Sequence, residues 1–327
     1  MQLVLDTKGL RISRKSGVFH VEYGKSKRAI SPVKLSSIAV TTTVELGSDA
    51  ILLAIEKEIP ILFLDRLGRV KGQIWSAHFP SLATLRRQQV QFADVSEATA
   101  WVVGLFELKT EHQLDTLRFL RKAAGGLGMN TSAAISNIRR NGRSFDQYRP
   151  LLLEKARTSI MGTEGTIARI YWQAIGATLP RAYRFNERSR RPARDIFNAA
   201  LNYLYGMLYG TVESGVFAAG LDPHLGLLHV DAHQKPTLAF DLIEPFRPWV
   251  DQLLIKACLE KKLTKQQFTR NQYGLFLNKK GKELIIPMFN DFLRSERNWM
   301  EQNATVRNHI YHLSARLVQR IRATFSS

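Results

Sequence analysis

The hydrophobic pattern of this 327-residue chain changes its period at Pro80. Before that point apolar residues alternate or cluster in short runs between turn residues, the signature of strands, whose side chains repeat every two positions. Leu3 to Leu5, Leu10 to Ser13, Val18 to Tyr23, Ile38 to Val40, Ile61 to Leu64 and Val70 to Ile74 are the expected strands, with Lys15, Ser16 and Gly17 closing a hairpin between the second and third. One helix should interrupt them, running from a cap at Ser48 or Asp49 through Ile51, Leu52 and Ile55. After Pro80 spacings of three and four take over, in Leu82, Leu85, Val90, Val103, Phe106, Leu114, Leu117 and Leu120, which describes amphipathic helices. The expected fold class is α+β: a small β-rich N-terminal domain over residues 1–79 and a larger, mainly α-helical domain over residues 80–327.

Charge narrows the partners. The formal net charge is +19, far beyond what solubility requires, so the chain is built to meet a polyanion, nucleic acid before an anionic membrane. Residues 1–80 hold 12 Lys and Arg against 7 Asp and Glu, a net of +5, which leaves +14 on the helical part. The most apolar segment, Phe197 to Gly210, is broken by Asn198 and Asn202 and is too short to span a bilayer, so it reads as a buried helix. The first residues carry Asp6 and no apolar secretory core, which points to an intracellular protein. The single cysteine, Cys258, lies among Leu254, Ile255 and Leu259 and reads as a buried side chain.

The chemistry concentrates between Gly220 and Asp251. His229 falls on a loop or short strand, a turn follows at Gln234, Lys235 and Pro236, and a helical segment then carries Asp241 and Glu244. Three apart on a helix, two carboxylates lie on one face and can address a common point. An imidazole and two carboxylates outline a metal site that needs one more ligand. Glu164 sits between Gly162 and Gly165 in a helical pattern where glycine costs about 1 kcal/mol each, so a close approach to the backbone is expected there. Taken by position alone, Glu164 reads as a solvated helix carboxylate.

Here the residues resemble a known family. Gly162-Thr163-Glu164-Gly165-x-x-Ala168-Arg169-x-Tyr171-Trp172 is similar to the EGxxARxYW signature of the CRISPR adaptation integrases. The resemblance continues through Arg190-Arg191-Pro192-x-x-Asp195-x-x-Asn198-Ala199, through Gly220-Leu221-Asp222-Pro223 and Gly226-x-Leu228-His229, and through Asp241-Leu242-x-Glu244-Pro245-Phe246-Arg247-Pro248. Arg86 to Gln89, Lys109 and Gln113 agree more weakly. The resemblance implies a divalent-metal-dependent DNA integrase and endonuclease that joins the 3′-hydroxyl ends of foreign DNA fragments to a repeat array. Glu164, His229 and Glu244 would bind Mg²⁺ or Mn²⁺, with Asp241 beside them as a fourth catalytic residue. It also implies a homodimer through the N-terminal domain, a small ferredoxin-like second adaptation subunit, double-stranded DNA as substrate and a prokaryotic cytoplasmic location. A nuclease of the same fold acting on branched DNA, a transposon-type integrase and a catalytically inactive nucleic-acid scaffold are the alternatives.

Arg181, Arg184, Arg188, Arg190, Arg191 and Arg194 face only Glu187 across their segment and are expected phosphate contacts. Tyr171 could stack on a base or pack in the core. Arg247 could clamp phosphate or pair with an acid. His224, Asp231 and His233 could form a second cluster or lie on a polar turn. Toward the end, a hairpin is expected around Asn278 to Gly281, followed by an amphipathic helix with Val306, Ile310, Leu313, Leu317 and Ile321 on one face.

Overall fold

The computed structural model describes residues 2–35, 37–65, 70–74, 80–123, 129–190, 192–229 and 235–326. It is an α+β protein, with strands gathered in the N-terminal part and helices dominating the rest. By compactness it divides into one unit of residues 1–89, 209–223 and 308–327 and another of residues 90–208 and 224–307. Each unit is discontinuous, whereas the change of period at residue 80 suggests a single cut.

In the first unit, β1 (Gln2–Leu5), β5 (Ser37–Val40) and β7 (Ile61–Leu64) run parallel, and β8 (Val70–Ile74) closes the order β1-β5-β7-β8 antiparallel to β7. Parallel strands covered on both sides read as continuous apolar runs, as β7 does. The second sheet has the order β4-β3-β2-β6, from β2 (Arg11–Lys15), β3 (Val18–Tyr23), β4 (Ser26–Ile30) and β6 (Glu45–Leu46). Ser16 at φ 49° and Gly17 at φ 74° turn β2 into β3, the two successive left-handed residues that a tight two-residue hairpin requires. Leu5, Ile12, Phe19, Ile38, Leu53 and Ile61 form the centre of this unit's core. Helix α1 (Ser48–Glu56) is capped by Gly47 rather than by Ser48 or Asp49. The Asp49 carboxylate instead accepts the Arg14 and Ala50 amides at 2.8 Å each, so it ties the helix to β2. Strand β4 was not expected from the pattern, because only Ile30 of its five residues is buried.

The helices that follow are α2 (Pro80–Phe92), α3 (Ser96–Ala123), α4 (Met129–Gly142), α5 (Leu153–Thr178), α6 (Ile196–Ala218), α7 (Thr237–Leu242), α8 (Arg247–Leu259), α9 (Lys279–Arg294) and α10 (Val306–Thr324). The expected buried helix over 197–210 is the front of α6, and all five residues assigned to the apolar face of α10 are at most 2% exposed. The hairpin lies a few residues earlier than expected. Strands β9 (Phe268–Asn271) and β10 (Gly274–Leu277) form it, and Asn278 begins α9 by accepting the Gly281 amide. Asn-Lys-Lys-Gly suits a turn or a cap equally, and the cap satisfies an otherwise orphaned helix N–H. A last pair, β11 (Glu296–Trp299) and β12 (Gln302–Thr305), leads into α10. No helix among the described residues is long and apolar enough to cross a membrane.

Candidate active site

All the predicted acidic and imidazole residues lie in the second unit. The loop before α7 is folded around Asp241. Its Oδ2 accepts the amides of Leu227 at 2.7 Å and Leu228 at 3.1 Å, and its Oδ1 accepts the His229 amide at 3.1 Å and the His229 Nδ1–H at 2.6 Å. Gly226 makes this tight fold possible, since a Cβ there would stand 2.4 Å from the His229 carbonyl oxygen and 2.7 Å from Thr237 Cβ. The carboxylate can only accept, so it fixes the proton on Nδ1 and leaves Nε2 as the imidazole's remaining nitrogen. Burial alone would lower the His229 pKa, but the bond to Asp241 and its charge outweigh burial and raise it.

The expectation that Asp241 and Glu244 share one helix face is corrected. Helix α7 ends at Leu242, and Glu244 sits on a separate 3₁₀ turn with Pro245 and Phe246. Proline cannot supply the amide that would continue the helix. Asp241 therefore serves the loop, and Glu244 turns to a different set of partners. Its Oε2 accepts from Lys109 Nζ at 2.6 Å and its Oε1 from Arg247 Nε at 2.8 Å. Lys109 Nζ also donates to Glu164 Oε1 at 2.5 Å, so one ammonium holds together carboxylates 80 positions apart in the chain. Burial pushes the Glu244 carboxyl up, but Arg247 and Lys109 outweigh it and hold the pKa down at about 2. For Lys109, burial favours the neutral amine, yet the charges of Glu244 and Glu164 prevail and raise its pKa.

Among the described residues no three His, Cys, Asp or Glu side chains form a ready-made metal cage. The cation standing between two of the expected ligands is Lys109. The donors nonetheless fit a divalent ion: two carboxylates already converge on one positive charge, and the third donor is an imidazole oriented by a carboxylate, the usual outer-shell device at metal-ligating histidines. The charges of His229 and Glu244 act on each other, which brings the imidazole into the same electrostatic neighbourhood.

One face of α3 fixes the turn that bears Glu244. Lys109 meets Glu244, His112 Nδ1 donates to the Pro245 carbonyl at 2.7 Å, and Thr116 Oγ1 donates to the Pro248 carbonyl at 3.1 Å. Burial lowers the His112 pKa to about 4, so its ring is neutral, and it lies against Trp249 and Trp299. The signal for Lys109 and His112 was present in the sequence as polar residues at positions of the apolar period, between Phe106 and Leu117. Asp251 of α8 accepts the hydroxyls of Tyr171 at 2.9 Å and Tyr205 at 2.7 Å, tying α5, α6 and α8 together. Burial raises the Asp251 pKa to about 7, against the opposing effect of those two hydrogen bonds.

Several expectations change here. Tyr171 is fully buried, so it offers no face to a base; its hydroxyl is committed to Asp251. The glycines flanking Glu164 are not places of close approach, because a Cβ at Gly162 or Gly165 would meet nothing within 4 Å. They leave α5 bare on either side of the carboxylate. Arg247 takes the acid-pairing alternative and lies 4.6 Å over the Tyr205 ring. Arg188 is an internal brace, donating to Asn198 and Asn202 at 2.6 Å each, and burial lowers its pKa. Arg181, Arg184, Arg190 and Arg194 are exposed, with Arg194 paired to Glu187 at 2.8 Å. Arg191, Asp231 and His233 lie outside the described residues, and His224 is an exposed residue bonded to the Lys235 carbonyl.

The family model described as CRISPR associated protein Cas1 matches residues 3–291. The chain is 32% identical to the CRISPR-associated endonuclease Cas1 1 of Thermus thermophilus, over 90% of this chain and 87% of that one. It is 27% identical to the protein of the same name from Archaeoglobus fulgidus, over 93% and 91%. Among solved structures, a chain of a partial Cas6-RT-Cas1–Cas2 complex shares the fold, with a TM-score of 0.78 at 21% identity over 100% of this chain and 97% of that one.

Proposed function

The chain belongs to the Cas1 family of CRISPR-associated proteins, and from that premise we propose that it is the integrase and endonuclease of CRISPR adaptation, joining 3′-hydroxyl ends of foreign DNA to the repeat array by transesterification. The observation that carries the chemistry is the convergence of Glu164 and Glu244 on a single cation beside the His229–Asp241 pair. Glu164, His229 and Glu244 are the proposed ligands of Mg²⁺ or Mn²⁺; carboxylates suit either ion, and the imidazole favours Mn²⁺. Bound there, such an ion would supply Lewis-acid polarisation of a phosphoryl group and lower the pKa of an attacking hydroxyl.

The protein's own residues do the rest. Asp241 holds the imidazole in one tautomer and one orientation. Arg247 and Lys109 keep Glu244 ionised in a buried setting where it would otherwise take up a proton. The bare surface of α5 around Gly162 and Gly165 gives a DNA strand room beside Glu164. The exposed arginines 181, 184, 190 and 194 are proposed phosphate contacts. A homodimer through the N-terminal strands and assembly with a small second adaptation subunit, in the cytoplasm of a prokaryote, complete the proposal. The name of the Cas1–Cas2 complex that shares this fold supports the second subunit.

The test supplies a DNA fragment with a free 3′-hydroxyl, a supercoiled repeat-bearing target and Mn²⁺. Joined products that vanish in Glu164→Ala and His229→Ala are expected. Nicking without joining would favour a nuclease on branched DNA, and joining that survives both substitutions would overturn the site.

A further inference from the structure

The hairpin of β9 and β10 presents Tyr273 at 70% exposure and Phe276 at 46%. Its surroundings are strongly cationic: from Lys261 to Lys282 the sequence holds seven Lys or Arg and no Asp or Glu. Lys262 pairs with an acid just outside the stretch, at 2.7 Å from Glu260.

The hairpin backbone is braced against residues 192–194. The Asn271 side chain accepts the Tyr273 amide at 2.8 Å, which sets the turn. Gly274, at φ +118°, fits so closely that a Cβ would lie 2.7 Å from Pro192 Cβ. The Leu275 amide donates to the Ala193 carbonyl at 3.0 Å, and Arg270 Nη2 donates to the Arg194 carbonyl at 3.1 Å. The exposed aromatics are thus fixed to the segment that also carries Arg194.

We propose that this hairpin is a stacking platform for unpaired nucleotides at the end of the DNA substrate, with Tyr273 and Phe276 offering ring faces and Arg270, Lys279 and Lys280 meeting phosphates. Inside a duplex each base face is covered by its neighbours, so a protein ring can stack only on an unpaired or terminal base. Sequence-tolerant single-strand sites combine such rings with a cationic track. The neighbours Thr269, Asn271 and Gln272 are polar and exposed, which suits a wet nucleic-acid surface better than a membrane-inserting tip. The inference rests on the DNA-substrate reading above but not on the metal site.

Binding is measured by fluorescence anisotropy in EDTA, with a blunt duplex and the same duplex carrying a single-stranded overhang. For the wild type, tighter binding of the overhang duplex is expected. In Tyr273→Ala/Phe276→Ala the overhang duplex should weaken on the order of tenfold, while the blunt duplex changes less than about twofold. Tyr273→Phe should retain most of the preference. Lys279→Gln/Lys280→Gln should weaken both duplexes and lower the salt slope by about two. Equal losses on both duplexes, or no loss, would overturn the platform. So would a change of oligomeric state in sedimentation, or loss of binding to anionic vesicles with DNA binding intact. A wild type that binds no DNA at all would instead sink the broader function, and a wild type without overhang preference only this inference. The substituted residues are exposed, so an unchanged unfolding midpoint is the control.

Discussion

Replacing Lys109 by Met in the metal-free protein should expose what the ammonium does. Glu164 retains 28% side-chain exposure and can recruit water when the cation is gone, but Glu244 retains only 7%. The cost therefore falls mainly on Glu244, which keeps Arg247 at 2.8 Å. Breaking a buried pair by removing one partner costs roughly 3–5 kcal/mol, and the surviving arginine places this case near about 3 kcal/mol. For a chain of this size that lowers the unfolding midpoint by roughly 4 °C, read by calorimetry in EDTA. Saturating Mn²⁺ should recover more stability in the variant than it adds to the wild type, because a bound ligand at a hundred times its Kd contributes about 2.7 kcal/mol and no lysine need be displaced. Lys109→Met/Glu244→Gln should regain much of the loss, since no buried charge is then left alone. A Lys109→Met protein that melts with the wild type in EDTA would refute the reasoning.

Three further outcomes follow from the geometry. Asp251 has a folded pKa of about 7 against about 3.9 unfolded, so its contribution is full below pH 4 and is lost as pH rises to 7; the advantage of the wild type over Asp251→Asn in denaturant titrations should shrink by about 1 kcal/mol per pH unit across that window and stay flat above it. Gly226→Ala should cost at least about 2 kcal/mol and loosen His229, seen as a broadened imidazole resonance, because the added Cβ collides with the His229 carbonyl. Gly165→Ala should gain up to about 1 kcal/mol of stability, since the site is helical and open, while DNA joining falls if a strand runs beside Glu164; unchanged joining would remove DNA from that face.

The two textures on either side of Pro80 were legible because each period reports a different burial geometry. Strand β4 was not, because four of its five side chains face solvent and carry no period. The ligand candidates were legible through motif resemblance, yet their division of labour was not: nothing in the spacing of Asp241 and Glu244 says that a break at Ile243 turns them apart. The same holds for Tyr171, whose fate depends on Asp251 lying opposite it, 80 residues later. Lys109 was visible as a weaker part of the resemblance and as a polar residue in an apolar stripe, and a sequence cannot say which distant acids will surround it.

The stapling of the Glu244 turn by α3 has a consequence for ion choice. Glu244 is referenced to α3 through the contacts of Lys109, His112 and Thr116, while Glu164 belongs to α5. The gap between the two carboxylates is therefore a helix-to-helix distance, not a property of one loop. Mg²⁺ demands oxygen ligands at about 2.0–2.1 Å, whereas Ca²⁺ accepts about 2.3–2.6 Å. Discrimination between ions of different radius would then be tuned by side-chain volume along the α3–α5 seam, far from any ligand, and repacking that seam would change which ion the centre prefers without touching a carboxylate.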